Sequence, residues 1–204
     1  MEIYNYLKLK LGSTGLWDTH CHLNSGEFTP DIADIIENAK QEEVKKILDV
    51  ATDLESSKQA IDNSIRFPLT VKSFIGIDPD VFIPSAKMFK GFEQSEQFVV
   101  SLKNELSTLL EQNVENVIGI GETGMDYYWL KDKPVLRENS ILLQEKLFRI
   151  HLELAEEKKL LLTIHSRGAE KRVLEILKEY KVLGILHSFT GGFDEAKEAM
   201  NNGL

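Results

Sequence analysis

Four short apolar runs in this sequence end in imidazole or carboxylate. His20 and His22 follow Leu16-Trp17, Glu122 follows Val117-Ile118-Gly119-Ile120-Gly121, His165 follows Leu160-Leu161-Leu162-Thr163-Ile164, and His187 follows Gly184-Ile185-Leu186. In a barrel of parallel strands the carboxyl ends of all strands meet on one face, and that face holds the active site. Side chains far apart in the chain would then converge on one point. Imidazole nitrogen and carboxylate oxygen are donors for Zn²⁺, Mn²⁺ or Mg²⁺. The chemistry this pattern suggests is metal-dependent hydrolysis.

Each residue also has a plainer reading. His20 and His22 share a strand face with Cys21 pointing away, so they can chelate one ion, but such a pair also arises on exposed strands. Cys21 reads as a small packing residue. Glu122 is a strand-end acid whose burial is costly unless it meets a cation or several donors. The glycines at 119, 121 and 124 permit close packing or unusual backbone angles around it. His165 and His187 taken singly read as core histidines, and only the set of four strand ends favours ligation. His151 lies mid-helix beside Ile150 and Leu152 and reads as structural. Arg167 stands in the loop after His165, where a guanidinium can fork onto phosphate oxygens or sit solvated. Tyr127, Tyr128 and Trp129 can stack on bases or pack a loop over the barrel rim. Gly191-Gly192 is a weak anion signal.

These residues need a frame, and the hydrophobic pattern supplies one. Apolar runs alternate with helical spacing throughout, the mark of a parallel α/β fold. Strands are predicted over 16–20, 46–51, 70–77, 116–122, 160–165 and 182–187. Helices are predicted near 31–43, from Asp53 to about Arg66, over 97–112, 138–158 and 168–179, and from about Phe193. Residues 79–95 and 123–135 read as loops. This gives a TIM-type (β/α) barrel with about six of its eight strand–helix units, so residues 1–204 are expected to be one barrel domain lacking its last two units.

Bulk properties narrow the function. A net charge of −9 argues against coating DNA through a broad basic surface. It leaves room for an enzyme that grips phosphates through bound ions, because a divalent cation reverses the local sign. A single cysteine excludes a disulfide framework and a four-cysteine zinc site. No run approaches the ~20 apolar residues of a membrane span, and the N-terminus lacks a signal-peptide pattern. A cytoplasmic protein is expected. Oligomeric state is open, with the exposed edges of an incomplete barrel favouring self-association.

Four ordered motifs then carry a family resemblance. Asp-Thr-His-Cys-His-Leu at 18–23, Gly-Glu-Thr-Gly-Met-Asp-Tyr-Tyr at 121–128, Ile-His-Ser-Arg at 164–167 and His-Ser-Phe-Thr-Gly at 187–191 resemble the TatD-type metal-dependent deoxyribonucleases, within the amidohydrolase-like superfamily. The resemblance implies a TIM barrel, one or two divalent ions (Mg²⁺, Mn²⁺ or Zn²⁺), and hydrolysis of DNA from the 3′ end. It implies metal ligands at His20, His22, Glu122, His165 and His187; in the mechanism this supports, Glu122 is the catalytic carboxylate, bridging or shared between the ions, and Arg167 steadies the substrate phosphate. The expected partner is DNA, single-stranded or at 3′ ends. The family's strand-eight aspartate has no counterpart in this sequence, His151 stands where the pattern has glutamine, and residues 79–95 form a longer stretch than usual. Two other readings remain open: an amide or ester hydrolase of the same superfamily, and a non-catalytic metal- or nucleic-acid-binding remnant.

Overall fold

The computed structural model describes residues 15–28, 30–84, 95–132 and 134–204. Six parallel strands form one sheet in sequence order: β1 Leu16–Cys21, β2 Val44–Val50, β3 Val71–Ile75, β4 Val117–Gly124, β5 Leu161–His165 and β6 Leu183–Leu186. A helix follows each strand: α1 Ile32–Gln41, α2 Leu54–Arg66, α3 Ser95–Gln112, α4 Pro134–Lys158, α5 Glu170–Leu177 and α6 Phe193–Asn201. The result is an arc of a (β/α) barrel with β1 and β6 at its edges among the described residues.

The two sheet faces bury different partners. Ile75, Leu162 and Ile164 pack outward against Leu106 and Leu110 of α3, Phe148 and Leu152 of α4, and Val173 and Leu174 of α5. Leu48, Val50, Phe74 and Leu161 turn inward and meet mostly other strand residues, with Trp17, Ile118, Leu183 and Ile185 around them. Alternation along β5 therefore sends Leu162 and Ile164 to the helices and Leu161, Thr163 and His165 to the interior.

Strict alternation fails where the site is built. On β1, Asp18 and Cys21 pair with Ile47 and Asp49, so one extra residue is inserted between them. Such an insertion reverses which residues face inward. It lets Trp17 and His20, of opposite parity, both look into the barrel, while Cys21 packs outward near Ile36 and Ile47. On β4 the register shifts twice, before Gly119 and again between Ile120 and Thr123. Ile118 packs inward and Ile120 outward, and the second shift returns Glu122 to the inner side.

Several boundaries differ from the sequence reading. The 79–95 loop begins with a 3-10 helix over Pro79–Phe82, seeded by Pro79 and capped by Asp78, and α3 starts at Ser95; residues 85–94 lie outside those described. The predicted 123–135 loop is shorter, because β4 runs to Gly124, a 3-10 turn covers Tyr128–Leu130, and α4 begins at Pro134. Proline suits a helix's first turn, where its missing N–H has no partner to lose.

Gly124 has φ +128°, and a Cβ there would lie 1.9 Å from the carbonyl oxygen of His165. Both the left-handed backbone and the β4–β5 contact require glycine. Gly124→Ala is expected to cost roughly 2 kcal/mol or more, read as a lower urea midpoint. An unchanged midpoint would contradict the close β4–β5 contact.

Candidate metal centre

Glu122 is the hub. It is 4% exposed, and its two oxygens face different histidines. Oε2 lies 3.5 Å from His20 Nε2 and 3.6 Å from His22 Nε2. Oε1 lies 3.0 Å from His165 Nδ1 and 2.6 Å from His187 Nε2. His165 Nδ1 and His187 Nε2 are themselves 3.1 Å apart, and the rings of His20 and His187 stack at 3.9 Å. All five residues singled out from the sequence thus converge at the carboxyl ends of β1, β4, β5 and β6.

The outward nitrogens of three of these rings are already engaged. His22 Nδ1–H donates to Val50 O at 2.7 Å. His20 Nδ1 meets Thr163 Oγ1 at 2.8 Å. His165 Nε2–H donates to Asp126 Oδ2 at 2.9 Å. A neutral imidazole carries one N–H, so fixing it outward leaves the inward nitrogen as a lone pair. Ligating histidines are oriented in this way.

The donor set fits a divalent cation. His20 Nε2 is buried with no hydrogen-bond partner, since 3.5 Å to Glu122 is too long for a good bond. Donors about 2.1 Å from one ion lie about 3.0–3.4 Å from each other, close to the spacings among these inward atoms. Two groups of three could close on an ion: His20, Glu122 and His187, and also Asp78, Glu122 and His165, the ligand atoms in each lying within 4.8 Å of one another.

Charge within the cluster is strongly perturbed. Burial alone would raise the Glu122 pKa, but the close approach of His165, His187 and His20 outweighs it and holds the carboxyl well below the usual range. Burial likewise opposes charge on His165, yet Asp126 and Glu122 raise its pKa to about 10. His20 goes the other way, lowered chiefly by burial. Protons and metal ions compete for these lone pairs.

Neighbouring residues divide more sharply than their sequence positions suggested. The Arg167 guanidinium stacks 3.8 Å from the Tyr128 ring centre and 5.5 Å from that of Trp129. Its charge reaches toward the centre, where it opposes the upward shift that burial and Asp126 impose on Asp80. Tyr128 and Trp129 remain exposed. Cys21 Sγ–H points at Leu48 O, and burial pushes its thiol pKa up, so it is no thiolate. The Gly192 N–H is taken by Glu195 Oε2 at 3.1 Å rather than offered to an anion.

Sequence reasoning missed Asp78 and Asp126. Asp126 is in the loop four residues past Glu122, so strand periodicity gives no hint of its contact with His165. Asp78 follows the predicted 70–77 strand as Glu122 follows the Val117–Gly121 run, and the same strand-end logic would have found it.

His151 is structural, as expected, and its role is specific. Its Nε2 accepts the Ile77 N–H at 3.3 Å, and its Nδ1 lies 2.8 Å from Thr123 Oγ1. It therefore ties α4 to the residues immediately preceding Asp78 and following Glu122.

A parallel α/β sheet carrying four imidazoles and a buried carboxylate at its strand ends is a barrel-type arrangement whose ligand atoms could hold a metal ion. The chain belongs to the TatD family: the profile described as TatD related DNase matches residues 17–204. It is 33% identical over 188 residues to the uncharacterized metal-dependent hydrolase YabD of Bacillus subtilis, covering 91% of this chain and 65% of that protein. It is 26% identical to human deoxyribonuclease TATDN3, covering 96% of this chain and 68% of that one. The crystal structure of YjjV, a TatD homolog from Escherichia coli, superposes with a TM-score of 0.76 at 23% identity over 92% of this chain and 65% of that one. The chain thus spans about two thirds of the length of these relatives. No helix among the described residues is long and apolar enough to cross a membrane.

Burial lowers the His151 pKa from 6.5 to about 3, against a smaller opposing hydrogen bond to Leu147. Its neutral form is favoured on folding, so its contribution is full above pH 6.5 and is lost as pH falls toward 3. Relative to His151→Gln, wild-type stability should fall by about 1.4 kcal/mol per pH unit between these limits. Urea unfolding at pH 7, 6 and 5 reads this; a pH-independent difference would contradict it.

Proposed function

We propose that this chain is the metal-binding part of a DNA phosphodiesterase that releases nucleotides from single-stranded 3′ ends. His20, His22, Glu122, His165 and His187 hold one or two ions of Mg²⁺, Mn²⁺ or Zn²⁺. The observation that carries the reading is the ring of inward-facing imidazole nitrogens around buried Glu122, with the outward nitrogens committed to Val50, Thr163 and Asp126.

When bound, the ions supply Lewis acidity and lower the pKa of water. The protein's own groups do the rest. Glu122 is kept ionised by its histidines and offers an oxygen to each side of the cluster. Asp126 holds His165 in one orientation. Arg167 grips a phosphate oxygen pair, and Tyr128 and Trp129, exposed beside it, stack on an unpaired base. That combination favours a nucleic-acid strand over a small amide or ester. The cytoplasm is the compartment proposed.

The test is release of label from 3′-labelled single-stranded DNA with Mg²⁺ or Mn²⁺. Release is expected to stop with EDTA and in Glu122→Ala. Arg167→Ala should lower kcat/KM by roughly 10- to 100-fold, the loss of one charge-assisted phosphate contact. Release unaffected by Glu122→Ala, or none from the folded, metal-loaded chain, would contradict the assignment.

A further inference from the structure

Asp126 is the point at which the histidine cluster and the exposed rim meet. It is 1% exposed, and its two carboxylate oxygens serve different elements. Oδ2 accepts His165 Nε2–H at 2.9 Å. Oδ1 accepts the backbone N–H of Tyr128 at 2.7 Å and that of Trp129 at 3.3 Å. Gln144, buried on α4, grips the Asp126 backbone at both polar groups. Its Oε1 accepts the Asp126 N–H at 3.0 Å, and its Nε2–H donates to Asp126 O at 3.2 Å.

The surrounding loop runs alongside β5 and past its end. Met125 N–H donates to His165 O and Tyr127 N–H to Arg167 O, both at 3.0 Å. Asp126 therefore stands between His165 and the turn Tyr128–Leu130, which presents the exposed rings of Tyr128 and Trp129. These rings meet edge to face at 5.0 Å. Two cations, Arg167 and Lys131, lie 3.8 and 4.3 Å from the centre of the Tyr128 ring. Aromatic rings beside cations suit unpaired nucleotides, ring for base and cation for phosphate.

We propose that Asp126 is a positioning residue that sets two sites with one carboxylate, Oδ2 aiming His165 at the ion and Oδ1 shaping the rim that holds the strand. This rests on reading the cluster as a metal centre and the rim as a surface for single-stranded DNA. A carboxylate accepts on both oxygens, whereas a carboxamide accepts on one side and donates from the other. In Asp126→Asn, two loop N–H groups against one ring N–H draw the amide oxygen to the loop. The NH₂ group then faces His165, whose Nε2 becomes an acceptor. The ring proton moves to Nδ1, the nitrogen directed at Glu122, and the ligand lone pair is lost. The rim keeps its acceptor.

Two binding measurements test this without turnover. Zn²⁺ affinity is read on the chelator-stripped chain against a chromogenic chelator, and strand affinity by the anisotropy of fluorescein-labelled oligothymidylate in EDTA. Asp126→Asn is expected to weaken Zn²⁺ binding by about 10- to 100-fold. Its oligothymidylate affinity should stay within about twofold of wild type, because the loop N–H groups stay paired. Asp126→Ala removes both acceptors and should weaken both ligands, the oligonucleotide by about fivefold or more. A residue that merely packs the loop would not separate the two readouts. Wild-type Zn²⁺ affinity in Asp126→Asn, or wild-type strand affinity in Asp126→Ala, would overturn the proposal. Imidazole ¹H–¹⁵N spectra of the unmutated, Zn²⁺-loaded protein should show His165 protonated at Nε2, so a misfolded variant cannot hide the answer; protonation at Nδ1 would overturn it as well. Failure of the underlying readings looks different. A wild-type chain that binds no Zn²⁺ would contradict the metal centre, and one that takes Zn²⁺ but no oligothymidylate would contradict the DNA reading and the rim half of the proposal with it.

Discussion

Burial of the Glu122 carboxylate is the constraint around which the described structure is organised. An ionised acid at 4% exposure would be strongly destabilising alone. Four imidazoles and the backbone that aims them make it tenable. That requirement explains the extra residue in β1 that turns His20 inward, the double register shift in β4 that returns Glu122 to the interior, and the glycine at 124 that lets β4 lie against His165. Each departs from regular strand geometry, and each serves the same carboxylate.

The ligand-type residues were legible because strand ends converge in a parallel barrel whatever the detail between them. His20, His22, Glu122, His165 and His187 could be grouped from position alone. Order and type of the six strand–helix units were legible too, since apolar runs and helical spacing alternate cleanly. The irregular features were not. Register shifts leave no periodic trace, so the sequence could not say that Trp17 and His20 face the same way. Asp126 acts from a loop, and Asp78 lies past the last residue of β3. Helix α4 began earlier than expected because Pro134, a breaker in mid-helix, is a natural first residue.

Outside the centre, the outer packing and the site are joined by polar contacts as well as by the sheet. Neutral His151 bridges α4 to Ile77 and Thr123. Asp49 accepts from Asn24 on the loop after His22 and from Asn63 on α2, fixing the exit of the first histidine pair. These buried networks place polar atoms where a purely apolar core would suffice for stability. Their positions, next to Glu122, Asp78 and His22, tie helix packing to the geometry of the cluster.

The central claim is that imidazole nitrogens and Glu122 oxygens converge to hold a divalent ion. X-ray absorption at the zinc edge of the Zn²⁺-loaded protein tests it most directly. The account predicts nitrogen and oxygen scatterers at about 2.0–2.1 Å with the outer-shell signature of more than one imidazole. A sulfur scatterer at about 2.3 Å, which only Cys21 or a methionine could supply, or a shell without imidazole, would contradict it.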